Sequence, residues 1–564
     1  MDRLIYNDEY PRIDSNLTDS NVGARQNRNI RDNIFVLNAI TNQIVKNKKR
    51  GVDIQVFDVY KCFDKLWSKE CFNDVYESGF QNDKLPLLFR ENMNAQVAVK
   101  TVTGTTEKTT INEVIMQGTV WGSLMCTCTM DKLGKLAYQK PQNLYNYKGV
   151  PVPPLGMVDD VICVTNVENT TNMNTLVNTF IESKKLRLSE TKCARIHIGK
   201  GHENCPKLKV HEHEMQEAKK EKYLGDIVDE NGKIEATIEN RKKRGQGAIV
   251  EIIAILDEIP FGKHKIEVGL KLRESMFLNG ILFNSEAWHG LTSANVAALE
   301  KLDKALLRSI LKAHKGTTSE LLYLETGTIP IKWVIAQRRI NFLKHIVTRN
   351  EKELIRKIYS AQKENPSQGD FVSLVESDLK MVGLTQEEVT SASISKLSLK
   401  KVLAQKARNA AFAELLSQLQ KGSKGKNMKY DKLQLQEYLK SEVLSEKEKN
   451  IITAVRTKCA RGVRNNFPGM HKVCKHCPLN CNPVEPHIDT QEHVLECAAL
   501  GGQSEVPLVF MFAGAVDQAI LAKEFLKRMN LREHLQEVHG NLRCSFHLPG
   551  VSPDQRTCQG AAAV

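Results

Sequence analysis

Two adjacent carboxylates, Asp159 and Asp160, sit between apolar runs in the stretch Gly156, Met157, Val158, Asp159, Asp160, Val161, Ile162, Cys163, Val164. Val161, Ile162 and Val164 suit a buried strand, and Pro151, Pro153 and Pro154 punctuate the chain just upstream. This spacing predicts a strand-turn-strand hairpin with the acids at its tip. Paired acids so placed can bind a divalent cation, although Asp-Asp is also ordinary turn chemistry. Neighbouring strand residues face opposite ways, so one acid, most simply Asp159, is expected to ligate metal while Asp160 supports it from the side. A third carboxylate, Asp58, closes the strand-like run 52–57. Phosphoryl transfer on two metal ions needs carboxylates from separate strands that converge on ions about 3.5–4 Å apart. Period two puts Asp58 on the face of Val52, Ile54 and Val56, so it must lie where that apolar face runs out.

The elements that must carry these acids are legible around them. Residues 33–45 have helix-compatible apolar spacing, with Arg25, Arg28 and Arg31 ahead of them. Residues 61–67 can open a helix under the sheet, and residues 96–110, with Gly104 at the turn, read as a β-hairpin. Gln117 and Gly118 form a turn that leads into an apolar, helix-compatible segment. Residues 173–186 carry an amphipathic stripe of Leu176, Val177, Phe180 and Ile181, and residues 195–198 read as a strand. Strand, helical chain, strand pair, helix, strand is the order of a split βαβ unit, the ferredoxin-like arrangement.

In that order of blocks the chain resembles the reverse transcriptases of non-LTR retrotransposons. Asp58 to Asp64 resembles the first catalytic block, Gln117 and Gly118 the template-gripping block, and residues 157–160 the central aspartate pair. Residues 189–193 resemble the lysine block and residues 223–226 the primer grip. The resemblance implies an α+β right-hand polymerase: partial fingers at 1–50, a ferredoxin-like palm at 51–228 and an α-helical thumb at 229–350. It implies RNA-directed DNA synthesis on two Mg2+ ions, held by Asp58 and Asp159 with Asp160 in support and Lys192 acting on the leaving pyrophosphate. Phe63 would crowd the sugar 2′ carbon and exclude ribonucleotides. Arg25 and Arg31 would contact template or incoming triphosphate, and Gln117 with Gly118 would grip template. Met116 and Thr119 stand where the family has Pro and Ser, and the resemblance begins inside the family's fingers, so an inactive relic that only binds nucleic acid is the alternative. A maturase-like splicing factor would share the palm and helical thumb. The implied partners are an RNA template, a DNA primer or target and dNTPs.

Composition is consistent with this. The 564 residues are 41% hydrophobic and 26% charged, ordinary globular values, and the formal net charge of +14 with pI near 9.0 favours a polyanionic partner. No apolar run is long enough to span a bilayer and the start lacks the order of a secretory signal, so an intracellular protein without a membrane partner is expected. The fourteen cysteines are mostly scattered among core-like positions such as Cys62, Cys126, Cys128 and Cys163, which reads as reduced thiols. After the basic run 241–244, helical periods continue through Ile310, and Arg338 with Arg339 beside an apolar stripe suit a nucleic-acid backbone. Residues 351–465 form a lysine- and glutamine-rich helical connector, with a flexible basic linker at 420–427. Cys474, Cys477, His493 and Cys497 have the spacing of a structural Zn2+ site within a 466–500 region, with Cys481, His476 and His487 as competing ligands. In the 501–564 tail Asp554 has no second acid after it, so no endonuclease centre is expected there.

Overall fold

The computed structural model describes residues 2–47, 51–80, 85–86, 95–111, 118–201, 205–259, 264–422 and 428–459, and beyond these only 494–495, 504–506, 511 and 517–530. The chain divides into two compact units. The first comprises residues 1–249, 275–303 and 329–411, and the second residues 250–274, 304–328 and 412–564. The thumb expected at 229–350 and the connector expected at 351–465 each have residues in both units.

The first unit is built on a five-stranded sheet. Its strands are β1 (Val52–Phe57), β2 (Leu155–Met157), β3 (Asp160–Asn166), β4 (Ala194–Ile198) and β5 (Gln216–Glu217). They lie in the order β5-β4-β1-β3-β2, and β1 is antiparallel to both neighbours. Among the first four strands this is the fourth-first-third-second order of a split βαβ unit. The register is pinned by packing on both faces. Val52, Ile54 and Val56 of β1 share one core with Ile162, Val164, Ile196 and Ile198. Phe57 turns the other way and joins Val161 and Cys163 in a second core. A slip of one residue would exchange the two sets, so alternation specifies the pairing.

Helices cover both faces. On the first core lies α2 (Ile30–Asn47), whose Ile34, Phe35, Val36, Leu37 and Ile40 are all buried. Apolar residues run nearly round its middle, as a fully enclosed helix requires. On the second core lie α1 (Asp2–Ser15), α4 (Ser68–Glu77), α5 (Gly122–Tyr138) and α6 (Thr170–Ser183), with the short α3 (Cys62–Lys65) following β1. The hairpin expected at 96–110 forms two short ladders, Ala95–Val97 with Thr109–Ile111 and Lys100–Thr101 with Gly104–Thr105.

The second face of β1 differs from a simple alternating strand. Asp53 and Gln55 are both fully buried. Asp53 accepts hydrogen bonds from Arg195 Nη2 at 2.6 Å and Thr170 Oγ1 at 2.7 Å, and meets His197 Nδ1 at 2.9 Å. Gln55 donates to the Thr170 carbonyl. A buried carboxylate is tolerable only when paired in this way.

The second unit contains the helices Lys265–Leu272, Ser319–Thr326 and Glu446–Arg456 among its described elements. Within it Glu325, 0% exposed, pairs with Arg456 Nε at 3.0 Å. Residues 423–427 of the expected linker lie outside the described residues. Among the described residues no helix is long and apolar enough to cross a membrane. The eight described cysteines are free thiols, all buried except Cys205.

Candidate active site

The three acids meet at one end of the sheet. The ladder that pairs Phe57 with Val161 leaves Asp58 and Asp160 as the next residues of the two neighbouring strands, at the open end of the β1–β3 pair. Asp58 is held by the loop after α6. Its carbonyl accepts from Ser189 N at 2.8 Å, its own N–H approaches Cys193 Sγ at 3.4 Å, and Val59 bridges Leu188. The same loop delivers Lys192, whose Nζ lies 3.3 Å from Asp58 Oδ2. The Asp pair sits on the β2–β3 hairpin, which closes through Met157 and Asp160 and so leaves Val158 and Asp159 as its two-residue turn. Val158 takes a φ of 59°, a left-handed conformation that a β-branched side chain rarely adopts.

Asp58, Asp160 and Lys192 line a cavity of about 450 Å³, together with Thr191, Glu221 and Lys222. Asp160 lines this cavity with Asp58, and Asp159 occupies the turn beside it, close enough to be repelled by both. Burial raises the Asp159 carboxyl above its ordinary value, and repulsion from Asp160 and Asp58 adds to it, with Lys192 opposing. Burial also raises Asp160, with Asp58 adding to it and Lys192 and Lys222 opposing. Three mutually repelling carboxylates in a half-buried place favour any cation that can join them. The donor set is hard oxygen, which fits Mg2+. The nearby sulfurs do not compete for the ion, because burial pushes the Cys193 thiol up to about 11, and the contact with Cys62, together with burial, holds Cys126 well above its ordinary value.

Other expected site residues fall elsewhere. Arg25 does not face a substrate. It is 5% exposed, and its guanidinium bonds Asp14 Oδ1 at 2.6 Å and the carbonyls of Asp14, Thr18 and Asn21. Arg31 is half-exposed and paired with Glu286, in a groove it shares with Arg338 and Lys400 rather than with the acids. Arg339 is buried against Asp378 at 2.6 Å and Arg241 against Asp226, so neither offers its charge to a nucleic acid. Phe63 is half-buried against the second core and is not among the residues lining the cavity of the acids. Gly118 is exposed at a φ of 83°, while Gln117 lies outside the described residues. So do Cys474, Cys477, His493 and Cys497. Among the described residues the metal-type cluster is instead Asp53, His197 and Cys205, with ligand atoms within 4.8 Å of one another. The Arg195 guanidinium on Asp53 already stands where a cation would.

Residues 3–228 match the family model described as reverse transcriptase (RNA-dependent DNA polymerase). This stretch contains Asp58, Asp159, Asp160 and Lys192. No curated protein matches the chain. Among solved structures the chain is similar to apo telomerase from Candida tropicalis, at 13% identity and a TM-score of 0.34, over 71% of this chain and 61% of that one. It is also similar to Candida albicans telomerase in complex with a fragment of telomeric RNA, at 12% identity and a TM-score of 0.34, over 67% of this chain and 55% of that one. The chain thus spans about six-tenths of the length of the telomerase chains it matches.

The cavity of the acids also takes in residues that sequence reasoning missed. Lys222 and Glu221 belong to the strand Lys220–Tyr223, which pairs with Asp226–Asp229 and brings its charges to the cavity wall. The Tyr223 hydroxyl donates to the Leu155 carbonyl at 2.8 Å, so the expected primer-grip segment is tied to the hairpin that carries the Asp pair. The alternation of charge along Lys220, Glu221 and Lys222 was the available signal, but it is the usual pattern of a solvated edge.

Proposed function

We propose that the reverse transcriptase domain catalyses RNA-templated DNA synthesis, in which the 3′-hydroxyl of a primer attacks the α-phosphate of a dNTP and pyrophosphate leaves. The observation that carries this reading is the meeting of Asp58 with Asp159 and Asp160 beside Lys192 at one end of the sheet. Two Mg2+ ions, held by Asp58 and Asp159 with Asp160 in support, would lower the pKa of the attacking hydroxyl and neutralise charge on the transferred phosphate. Lys192, 68% exposed and on a loop, reaches the leaving phosphate oxygens and supplies positive charge or a proton there. Lys222 offers a second cation along the same cavity. The cavity walls therefore recognise a polyanionic substrate at the point where the carboxylates need a counter-ion.

In this reading residues 1–50 act as partial fingers, 51–228 as palm and 229–350 as thumb. Gln117 and Gly118 grip template, Phe63 selects against the ribose hydroxyl, and Arg31 contacts nucleic acid. Cys474, Cys477, His493 and Cys497 hold a structural Zn2+ ion beyond the connector. The order of the five sequence blocks supports the non-LTR retrotransposon type. Primer extension on an RNA template, run beside Asp159→Ala, tests the activity. Mg2+-dependent dNTP incorporation by the wild type and none by the variant is the expected result. No metal-dependent incorporation by either protein rejects the polymerase and leaves a nucleic-acid-binding module.

A further inference from the structure

The turn that carries Asp159 is not held by its own hairpin alone. Asn21, 2% exposed, lies in the segment between α1 and α2 and reaches both polar groups of the Val158 backbone. Its Oδ1 accepts from Val158 N at 3.0 Å, and its Nδ2 donates to the Val158 carbonyl at 2.8 Å. Oδ1 also accepts from Gly23 N at 2.9 Å, which fixes the carboxamide's orientation. The neighbouring backbone runs as a bridge against the hairpin. Gly156 N donates to Ser20 O at 2.6 Å and Val22 N to Gly156 O at 3.0 Å.

Two glycines make this approach possible. A Cβ on Gly23 would lie 2.5 Å from Val158 N, and one on Gly156 would lie 2.8 Å from Asn21 Nδ2. Behind Asn21 stands Arg25, whose Nη1 donates to the Asn21 carbonyl at 3.2 Å and also to that of Thr18. The Thr127 hydroxyl of α5 donates to Gly23 O at 3.0 Å. A buried amide therefore bonds both backbone polar groups of the residue that sits at a φ of 59° immediately before Asp159. Such a conformation in a β-branched residue persists only where its surroundings over-determine it.

We propose that Asn21 is a positioning residue for the catalytic acids: its carboxamide clamps Val158 in the left-handed conformation and so sets where Asp159 and Asp160 point. The buried Arg25 supports the clamp from behind and so acts on the site through the backbone rather than through a substrate. The inference rests on the polymerase reading for its kinetic consequence, but its structural content stands apart from that reading.

The test uses the full chain with Asn21→Ala, and with Asn21→Ala combined with Val158→Gly, because glycine adopts positive φ without the side-chain strain. Amide hydrogen exchange over residues 155–162 is read first. Exchange of the Val158 amide rises about tenfold or more in Asn21→Ala, as expected for a lost protecting bond. In primer extension, kcat falls about 10- to 100-fold and half-saturating Mg2+ rises, while KM for dNTP stays within about threefold, since displaced ligands rather than substrate contacts are affected. The double variant recovers at least part of the kcat lost. Wild-type exchange and kcat in Asn21→Ala, or no recovery in the double variant, overturns the proposal. If the wild type itself shows no incorporation, the polymerase reading fails, and unchanged Val158 exchange alone then overturns the clamp.

Discussion

The ammonium nitrogen of Lys192 lies 3.3 Å from Oδ2 of Asp58, across 134 residues of sequence. The pair is open to solvent, with the lysine side chain 68% exposed, and so contributes little to stability. Lys192→Ala is accordingly expected to melt within about 2 °C of the wild type. Its rate of dNTP incorporation should fall by about 100-fold, the size of a lost general acid. Single-turnover kinetics checks this, and an unchanged rate removes Lys192 from the chemistry.

Asp159 and Asp160 are placed for function at a cost in stability, because burial and repulsion disfavour their charges. Asp160→Asn and Asp159→Asn should each keep or raise the melting temperature while abolishing metal-dependent incorporation. Thermal melts beside primer extension decide it. A variant that is both destabilised and active would contradict the assignment.

The Asp53 to Arg195 pair is the opposite case. It is buried on both sides, 0% and 2% exposed, and touches no part of the acid cavity. Asp53→Ala leaves the buried guanidinium with only the exposed Glu217 carboxylate, 3.7 Å away, as counter-charge and should cost about 3–5 kcal/mol. The double variant Asp53→Leu with Arg195→Met should be markedly more stable than Asp53→Ala, because both buried charges are then gone. Denaturant unfolding of the three proteins gives the comparison.

Acid sensitivity has a defined source in His289. Burial pushes its imidazole down to about 4, with Arg339 opposing protonation and the Ala287 carbonyl, Gln362 and Asp370 favouring it. In the unfolded chain the ring takes its proton near pH 6.5, so between about pH 6.5 and 4 acid favours the unfolded state. Stability is complete above pH 6.5 and falls by up to about 3 kcal/mol as pH drops to 4. His289→Gln should flatten this part of the stability profile, measured by denaturant midpoints from pH 7 to 4.5. An identical slope in the variant would place the acid sensitivity elsewhere.

Much of this architecture is written in local patterns. Val52, Ile54 and Val56 alternating before Asp58, the Pro-bounded hairpin at 155–166 and the apolar stripe of residues 173–186 each specify an element, because periodicity records which face is buried. The acids, Lys192 and the order of the blocks that carry them follow from the same patterns. Sequence could not say which charges are spent internally. Arg25, Arg241 and Arg339 look like basic surface in one dimension, yet each is itself buried and closes an ion pair, with Asp14, Asp226 and Asp378.

The chain's sequence by itself determined that strands bearing Asp58 and the Asp159–Asp160 pair would exist and would expose those acids at their ends, since hydrophobic period and turn chemistry are local properties. Only the tertiary structure decided that Asp160 and Lys222 line one cavity with Asp58, and that Asn21 grips Val158. Each of these depends on a contact between segments tens to more than a hundred residues apart. Such contacts are chosen by how the two cores pack against the sheet, and no local pattern encodes them.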